Sequence, residues 1–138
     1  MAKKFHIEIV TPNGVFFDGE VEKLVIRTTT GDIAILHDHT PLVTPVEIGR
    51  ARLLFGDEEE REASISPGIL TVEDSRVILL TDAAEWPEEI DVDRAEEARR
   101  RAEERLKEAK KRDVDATRAS TALRKATNRL EVAGKKKK

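Results

Sequence analysis

"IDVDRAEEARRRAEERL" spans Ile90–Leu106, and it marks the place where the chain stops alternating and starts to repeat every three or four residues. Apart from Ile90, Val92 and Leu106 it contains no apolar side chain larger than alanine. Ala95, Ala98, Ala102, Leu106 and Ala109 nevertheless fall on one narrow stripe of a helix, with charge everywhere else. Pro87 disfavours helix at Trp86, and Asp91 or Asp93 then offers a side-chain oxygen to the orphan N–H groups of a helix start. A boundary therefore falls between residues 86 and 90.

The same pattern returns 24 residues later. Asp91, Arg94, Ala95, Ala98, Arg101, Ala102, Arg105, Leu106 and Ala109 reappear as Asp115, Arg118, Ala119, Ala122, Lys125, Ala126, Arg129, Leu130 and Ala133. "KKRDVD" supplies the turn between them, Asp115 a second cap, and Gly134 a left-handed end for the second helix. The spacing predicts an antiparallel helical hairpin with an alanine seam. Methyl-sized side chains bury little area at about 25 cal/mol per Å², so the seam is weak and suits an element that moves.

Upstream, "KFHIEIV" sets Phe5, Ile7 and Ile9 against His6 and Glu8, and "TPNG" supplies a turn with Asn13 and Gly14 in the positions that tolerate positive φ. "VEKLVIR", "IAILH", "RARLLF", "EREASIS", "GILTVE" and "RVILLT" follow at short spacing between Gly, Asp and Pro turns. Phe5, Ile7, Ile9, Val21, Leu24, Ile26, Ile33, Ile35, Leu53, Phe55, Ile65, Ile69, Leu70, Ile78 and Leu79 are enough for one core. The fold class is a mainly β, antiparallel N-terminal sandwich over 1–86, followed by a C-terminal α-helical hairpin over 87–138.

Composition narrows the function. With no cysteine in 138 residues, disulfides and thiolate chemistry are excluded, and no apolar run reaches the roughly 20 residues of a membrane span. No leader-like run follows the first lysines, so a soluble, cytoplasmic chain is expected. The net charge of −3 conceals a division. Residues 1–90 carry 8 Lys and Arg against 18 Asp and Glu, and residues 91–138 carry 17 against 10. The charged share of 38% points toward a thermophile.

Arg94, Arg101 and Arg105 stand within about 20° of one line on a helix, and Arg118, Lys125 and Arg129 repeat it. These rows read either as a solvated face with i,i+4 pairs or as an anion clamp for a triphosphate or for partner carboxylates. A polyanion- or nucleic-acid-binding module would use the same basic hairpin and lose affinity steeply with salt. An enzyme using His37, Asp38 and His39 would need a metal, but no further ligand cluster accompanies them, and no metal is assigned. No G-x-x-x-x-G-K-[ST] loop and no Ser/His/Asp spacing is present, so the chain is not itself an ATPase. Trp86 is expected to anchor the joint between the halves, and Lys135–Lys138 to form a solvated tail.

"VTPNGVFFDGEV", "GDIAILHDHTPLVT" and "IDVDRA", in this order, make the chain resemble the epsilon subunit of bacterial F-type ATP synthases over about residues 3–134. The resemblance implies a non-catalytic subunit of the rotating central stalk, peripheral to the cytoplasmic face of the plasma membrane. Its sandwich would bind the gamma subunit and the membrane rotor ring. Its hairpin would fold against the sandwich or extend along gamma towards the catalytic beta subunit and block ATP hydrolysis. Some members bind ATP through a motif that Ile90, Asp91, Arg94 and Ala95 match, with Glu85, Arg101 and Arg129 as further contacts; ATP is then a regulatory ligand, and no cofactor is required. Lys125 stands where those members have arginine, which keeps charge but loses bidentate phosphate geometry. Asp91 reads equally as a helix cap. The apolar patch Leu36, His39, Pro41, Leu42 and Val43 is the expected contact with gamma.

Overall fold

In a computed structural model the structure describes residues 3–74, 76–112 and 116–136, without the side chains of 109–112 and 135–136. Ten strands come first: β1 (Phe5–Thr11), β2 (Gly14–Val21), β3 (Lys23–Thr28), β4 (Gly31–Leu36), β5 (Leu42–Val46), β6 (Gly49–Gly56), β7 (Glu59–Ile65), β8 (Gly68–Glu73), β9 (Arg76–Thr81) and β10 (Ala84–Glu85). A 3-10 turn (Pro87–Glu89) leads into α1 (Val92–Arg112) and α2 (Ala116–Lys136). The chain divides into two units, Met1–Glu85 and Trp86–Lys138.

The strands run in the order β10-β7-β6-β3-β5-β8-β9-β1-β2, with β4 paired to β3. Neighbours are antiparallel except β1 and β9, which pair in parallel from His6↔Arg76 to Val10↔Leu80. Side chains alternate across each strand, so Phe5, Ile7 and Ile9 all enter the core from β1. Val21, Leu24, Ile26, Ile35, Leu53, Ile65, Leu70 and Leu79 complete it. The rings of Phe17 on β2 and Phe55 on β6 meet edge to face at 5.9 Å and close the sandwich between its terminal and central strands.

Several expected core residues face elsewhere. Ile69 is half exposed, and Ile33, Phe55 and Ile78 are only half buried. Val46, Ile48, Val72 and Val77 take their places. On β8, Leu70 and Val72 point inward, so a period of two turns Ile69 outward. β5 is a strand that the quoted apolar runs do not include. Pro45 within it and Pro41 just before it hide it, yet its ladder to β3 is the single pair Thr28↔Val46, leaving a side on which Pro45 needs no N–H.

The turns also differ in detail. The β1–β2 loop is Pro12–Asn13, and of the expected pair only Gly14 takes positive φ, at 121°. Proline fixes the first corner near −65°, which excludes a turn with positive φ at both central residues. The β6–β7 loop has that turn instead. Asp57 and Glu58 have φ of 51° and 66°, a conformation that costs a non-glycine residue about 1–2 kcal/mol. At Gly68 the constraint is contact, since a Cβ there would lie 1.9 Å from the Leu80 carbonyl oxygen.

In the helical unit, Trp86 donates its N–H to Glu89 Oε1 at 2.9 Å, and Ile90 donates its N–H to the Pro87 carbonyl at 3.3 Å. Asp91, rather than Asp93, caps α1: its Oδ1 accepts the Arg94 N–H at 3.1 Å. Ile90 packs with Val132 and Ala133, placing the start of α1 beside the end of α2, so the helices are antiparallel. Ala95, Ala102, Ala119, Ala126 and Ala133 are all buried at intervals of seven. Because the helices end symmetrically about position 114, Ala95 comes level with Ala133 and Ala102 with Ala126. Ala98 and Ala122 are half buried; the Ala109 side chain and the Asp115 cap lie outside the described residues.

Gly134 does not end α2. The helix passes through it to Lys136, and its φ is not in the left-handed region. Glycine costs about 1 kcal/mol inside a helix, and lysines after it favour the negative end of the helix dipole. Of the expected tail, Lys135 and Lys136 are helical, and 137–138 lie outside the described residues.

Two outcomes follow from these contacts. Ala126→Leu overfills the seam and lowers hairpin stability by about 1–3 kcal/mol, read as lost protection of α1 and α2 amides in hydrogen exchange. Replacing Asp57–Glu58 by Asn–Gly relieves the left-handed strain and raises the thermal stability of the strand unit by about 1 kcal/mol, seen as a higher Tm with an unchanged spectrum.

Candidate functional site

The helical unit gathers most of the expected nucleotide residues and gives three of them other work. Ile90 is buried against Val132, Asp91 caps α1 through Oδ1, and Ala95 is wholly buried in the seam. Arg94 is left exposed, with no ion pair of its side chain among the described residues. Glu85 ends β10 in the strand unit, paired with Ser64, and is half buried.

Helix geometry decides where the basic residues project. Arg94, Arg101, Arg118 and Lys125 each precede a seam alanine by one position, and Arg105 and Arg129 follow one by three. Antiparallel helices that share a seam keep equivalent positions on the same side, so all six lie on one flank. Glu96, Glu103, Ser120 and Thr127 follow seam alanines by one and lie on the other flank. Arg101, Lys125 and Arg129 come to nearly one level, and Arg94 stands two turns nearer the open end, about 10 Å along α1. Arg129 is half buried; Arg94, Arg101, Arg105, Arg118 and Lys125 are exposed. The exposed pairs Arg99–Glu103 and Arg100–Glu97, at 3.8 Å, engage arginines outside this set. The rows therefore stand side by side on one face rather than across from each other.

In the strand unit the expected apolar patch divides. Leu36 and Val43 are exposed, at 51% and 70%, and Pro41 is exposed, but Leu42 and His39 are half buried. His39 donates its N–H to the Leu36 carbonyl at 3.2 Å and sets Nδ1 2.7 Å from the Thr40 oxygen, while His37 pairs with Asp38 at 3.0 Å. Among the described residues no three His, Asp or Glu side chains converge as a metal site.

A larger apolar surface escaped the sequence. Direct register partners Pro45↔Ile69, Ile69↔Leu80, Leu80↔Val10 and Val10↔Val15 form one outward row across five strands. Val15, Leu80 and Ile69 are 60%, 53% and 50% exposed. Beside them runs a second outward row, Val43, Thr71, Ile78 and Glu8. A shallow groove of about 380 Å³ lies along the first row, floored by Gly68 and rimmed by Pro12 and Asp82. The signal that could have found it is the pair Leu79–Leu80 beside Ile69–Leu70, in which only one of each two can face the core. On β6, the hydrogen bond to Glu60 is the largest cause holding the Arg52 guanidinium above its usual range.

Comparison with known proteins fits both units. Residues 4–87 match the family described as ATP synthase, Delta/Epsilon chain, beta-sandwich domain, and residues 88–134 match ATP synthase, Delta/Epsilon chain, long alpha-helix domain. The chain is 56% identical over 106 residues to the ATP synthase epsilon chain of Alkaliphilus metalliredigens, covering 77% of this chain and 78% of the relative. It is 47% identical over 110 residues to the ATP synthase epsilon chain, sodium ion specific, of Acetobacterium woodii, covering 80% and 83%. A chain of the Euglena gracilis mitochondrial ATP synthase, OSCP/F1/c-ring, shares the fold at a TM-score of 0.76 and 23% identity, covering 94% of this chain and 81% of that one. A chain of the Tetrahymena thermophila mitochondrial ATP synthase, central stalk/c-ring, does so at 0.60 and 13%, covering 99% and 98%. With both units matched in order and such identity to bacterial relatives, the chain belongs to the ATP synthase delta/epsilon family, among the bacterial epsilon chains.

Proposed function

We propose that this chain is a non-catalytic central-stalk subunit of a bacterial F-type ATP synthase. Its strand unit docks on the gamma subunit and the membrane rotor ring, and its hairpin regulates ATP hydrolysis with ATP as ligand. The observation that carries the docking half is the outward apolar row Pro45–Ile69–Leu80–Val10–Val15, an exposed surface of the kind that partners cover. Acidic residues border it, Glu8 in the next row and Asp82 at the groove rim, so a partner surface combining apolar and basic side chains is its complement. The related chains named for a central stalk and c-ring support the same reading. In the complex the subunit sits peripherally at the cytoplasmic face of the membrane; none of its described helices is long and apolar enough to cross one.

The regulatory half rests on the weak seam and the one-sided basic flank. Six cations on one face repel each other across the hairpin, and a polyphosphate relieves that repulsion only while the helices stay paired. ATP then stabilises the closed hairpin by its differential affinity, and the hairpin inhibits hydrolysis by opening towards the catalytic beta subunit. Lys125 contributes a point charge rather than a fork and weakens the site relative to one with arginine there. The basic flank would also suit a nucleic acid, but no observation favours that reading over a nucleotide.

Leu80→Glu or Ile69→Glu lowers affinity for gamma about tenfold or more, equivalent to 1.4 kcal/mol or more, without unfolding, because both side chains are exposed. Equal binding of gamma by a folded Leu80→Glu chain overturns docking on this row. Loss in Val43→Glu alone moves the contact to the segment Leu36–Val43.

ATP at 100 times its Kd adds about 2.7 kcal/mol to hairpin stability in the parent chain. Arg94→Ala removes that gain, and Asp91→Asn keeps the cap and most of the unliganded stability. Calorimetric titration of ATP into the three chains decides it: equal heats for the parent and Arg94→Ala reject a nucleotide role for this flank.

A further inference from the structure

The chain is almost free of side-chain amides. In 138 residues it has two asparagines, Asn13 and Asn128, and no glutamine. Such depletion is what a chain under thermal selection shows, because amides are among the residues heat destroys first. Yet one of the two stands in the sequence context where the loss is fastest, directly before glycine. Both Asn13 and Gly14 are exposed in the β1–β2 turn. The Asn13 main-chain N–H donates to Thr11 Oγ1 at 3.2 Å, while its carboxamide makes no hydrogen bond among the described residues. Gly14 has φ of 121°, and nothing lies within 4 Å of the place a Cβ would occupy, so no side chain crowds that side of the Asn13–Gly14 bond.

We propose that Asn13 is a site of spontaneous covalent modification, a built-in chemical clock at the edge of the outward apolar row. The Gly14 main-chain nitrogen attacks Asn13 Cγ and loses its proton, the Cγ–Nδ2 bond breaks, and Nδ2 leaves as ammonia with that proton. Water then opens the resulting five-membered imide. Attack at Cγ gives aspartate, and attack at the main-chain carbonyl gives isoaspartate, whose backbone runs through Cβ. Either product places a carboxylate at the turn, and the second also inserts a methylene into a loop whose flanking residues, Thr11↔Gly14 and Val10↔Val15, are register partners. Val10 and Val15 belong to the row read above as the gamma-docking surface. On that reading, which this consequence rests on, the aged chain docks more weakly.

Asn128 is the internal control. It is 8% exposed within α2 and precedes Arg129, whose side chain crowds the attacking nitrogen. The full chain is held folded in warm, mildly alkaline buffer for weeks, then cut with trypsin. Asn13 is the sole amide of the fragment Phe5–Lys23, so the mass gain of NH2 replaced by OH in that fragment reports it alone. The fragment converts progressively, isoaspartyl methyltransferase labels it, and the Asn128 fragment and the Asn13→Gln chain stay unchanged. A Phe5–Lys23 fragment that stays unmodified, or converts no faster than the Asn128 fragment, overturns the proposal. In a second arm, aged parent and aged Asn13→Gln chains are compared for gamma binding. Weaker binding of the aged parent alone supports the consequence, and equal binding by a converted parent rejects it while leaving the chemistry intact. Leu80→Glu tests the docking row itself, so the two failures are distinguishable.

Discussion

Alanine meeting alanine at every seventh residue is the contact on which the helical unit depends. A side chain of one carbon lets the two backbones pair along their length, and nothing longer fits without moving them apart. The same spacing fixes the rest of the surface. Once Ala95, Ala102, Ala119 and Ala126 face inward, the residues before them are carried to one flank and the residues after them to the other. Charge asymmetry across the hairpin is thus a consequence of the seam and needs no separate packing device. Ile90, Val132 and Ala133, with Val92 packed against them, form a larger apolar cluster at the end where α1 begins and α2 ends.

The strand unit solves the opposite problem. Its core is deep, with Phe5, Ile7, Ile9, Leu24, Leu53, Leu70 and Leu79 all sealed from solvent, and no single contact governs it. It has apolar material to spare, and alternation forces the surplus outward: if Leu70 and Leu79 face in, Ile69 and Leu80 cannot. The strand unit thus combines a deep core with an outward apolar surface, whereas the helical unit combines a shallow seam with a charged flank.

Much of this was legible in the sequence. Seven apolar runs gave β1, β3, β4, β6, β7, β8 and β9 their approximate places, and the change of period at Trp86–Pro87 marked where the strand unit ends. The 24-residue repeat gave the hairpin and its flank of basic residues. What could not be read is instructive. Ile69 and Leu70 are equally apolar, so which one faces the core is set by the register of β8 against β5 and β9, a long-range fact. β5 contains Pro45 and follows Pro41, a local signal against strand that yields to one nearly unpaired side. Gly134 carried a strong local signal for a helix end, and the packing of Val132 and Ala133 beside it overrode that signal.

The stretch Ile90–Ala95, proposed above to bind a nucleotide, carries structural roles at most of its positions. Ile90 is a packing residue, Asp91 a cap, and Ala95 a seam residue, so three of its four matched positions are needed simply to start α1 against α2. A ligand that contacts Arg94 therefore acts on the part of the hairpin whose formation those three already control. Closing the helices presents Arg94, Arg101 and the α2 cations together, and separating them disperses the set. On the proposed reading, affinity for an anion would be coupled to helix pairing by geometry. Because the seam contributes so little, even a modest differential affinity shifts the balance, whereas a leucine seam of the same length would leave the ligand nothing to decide.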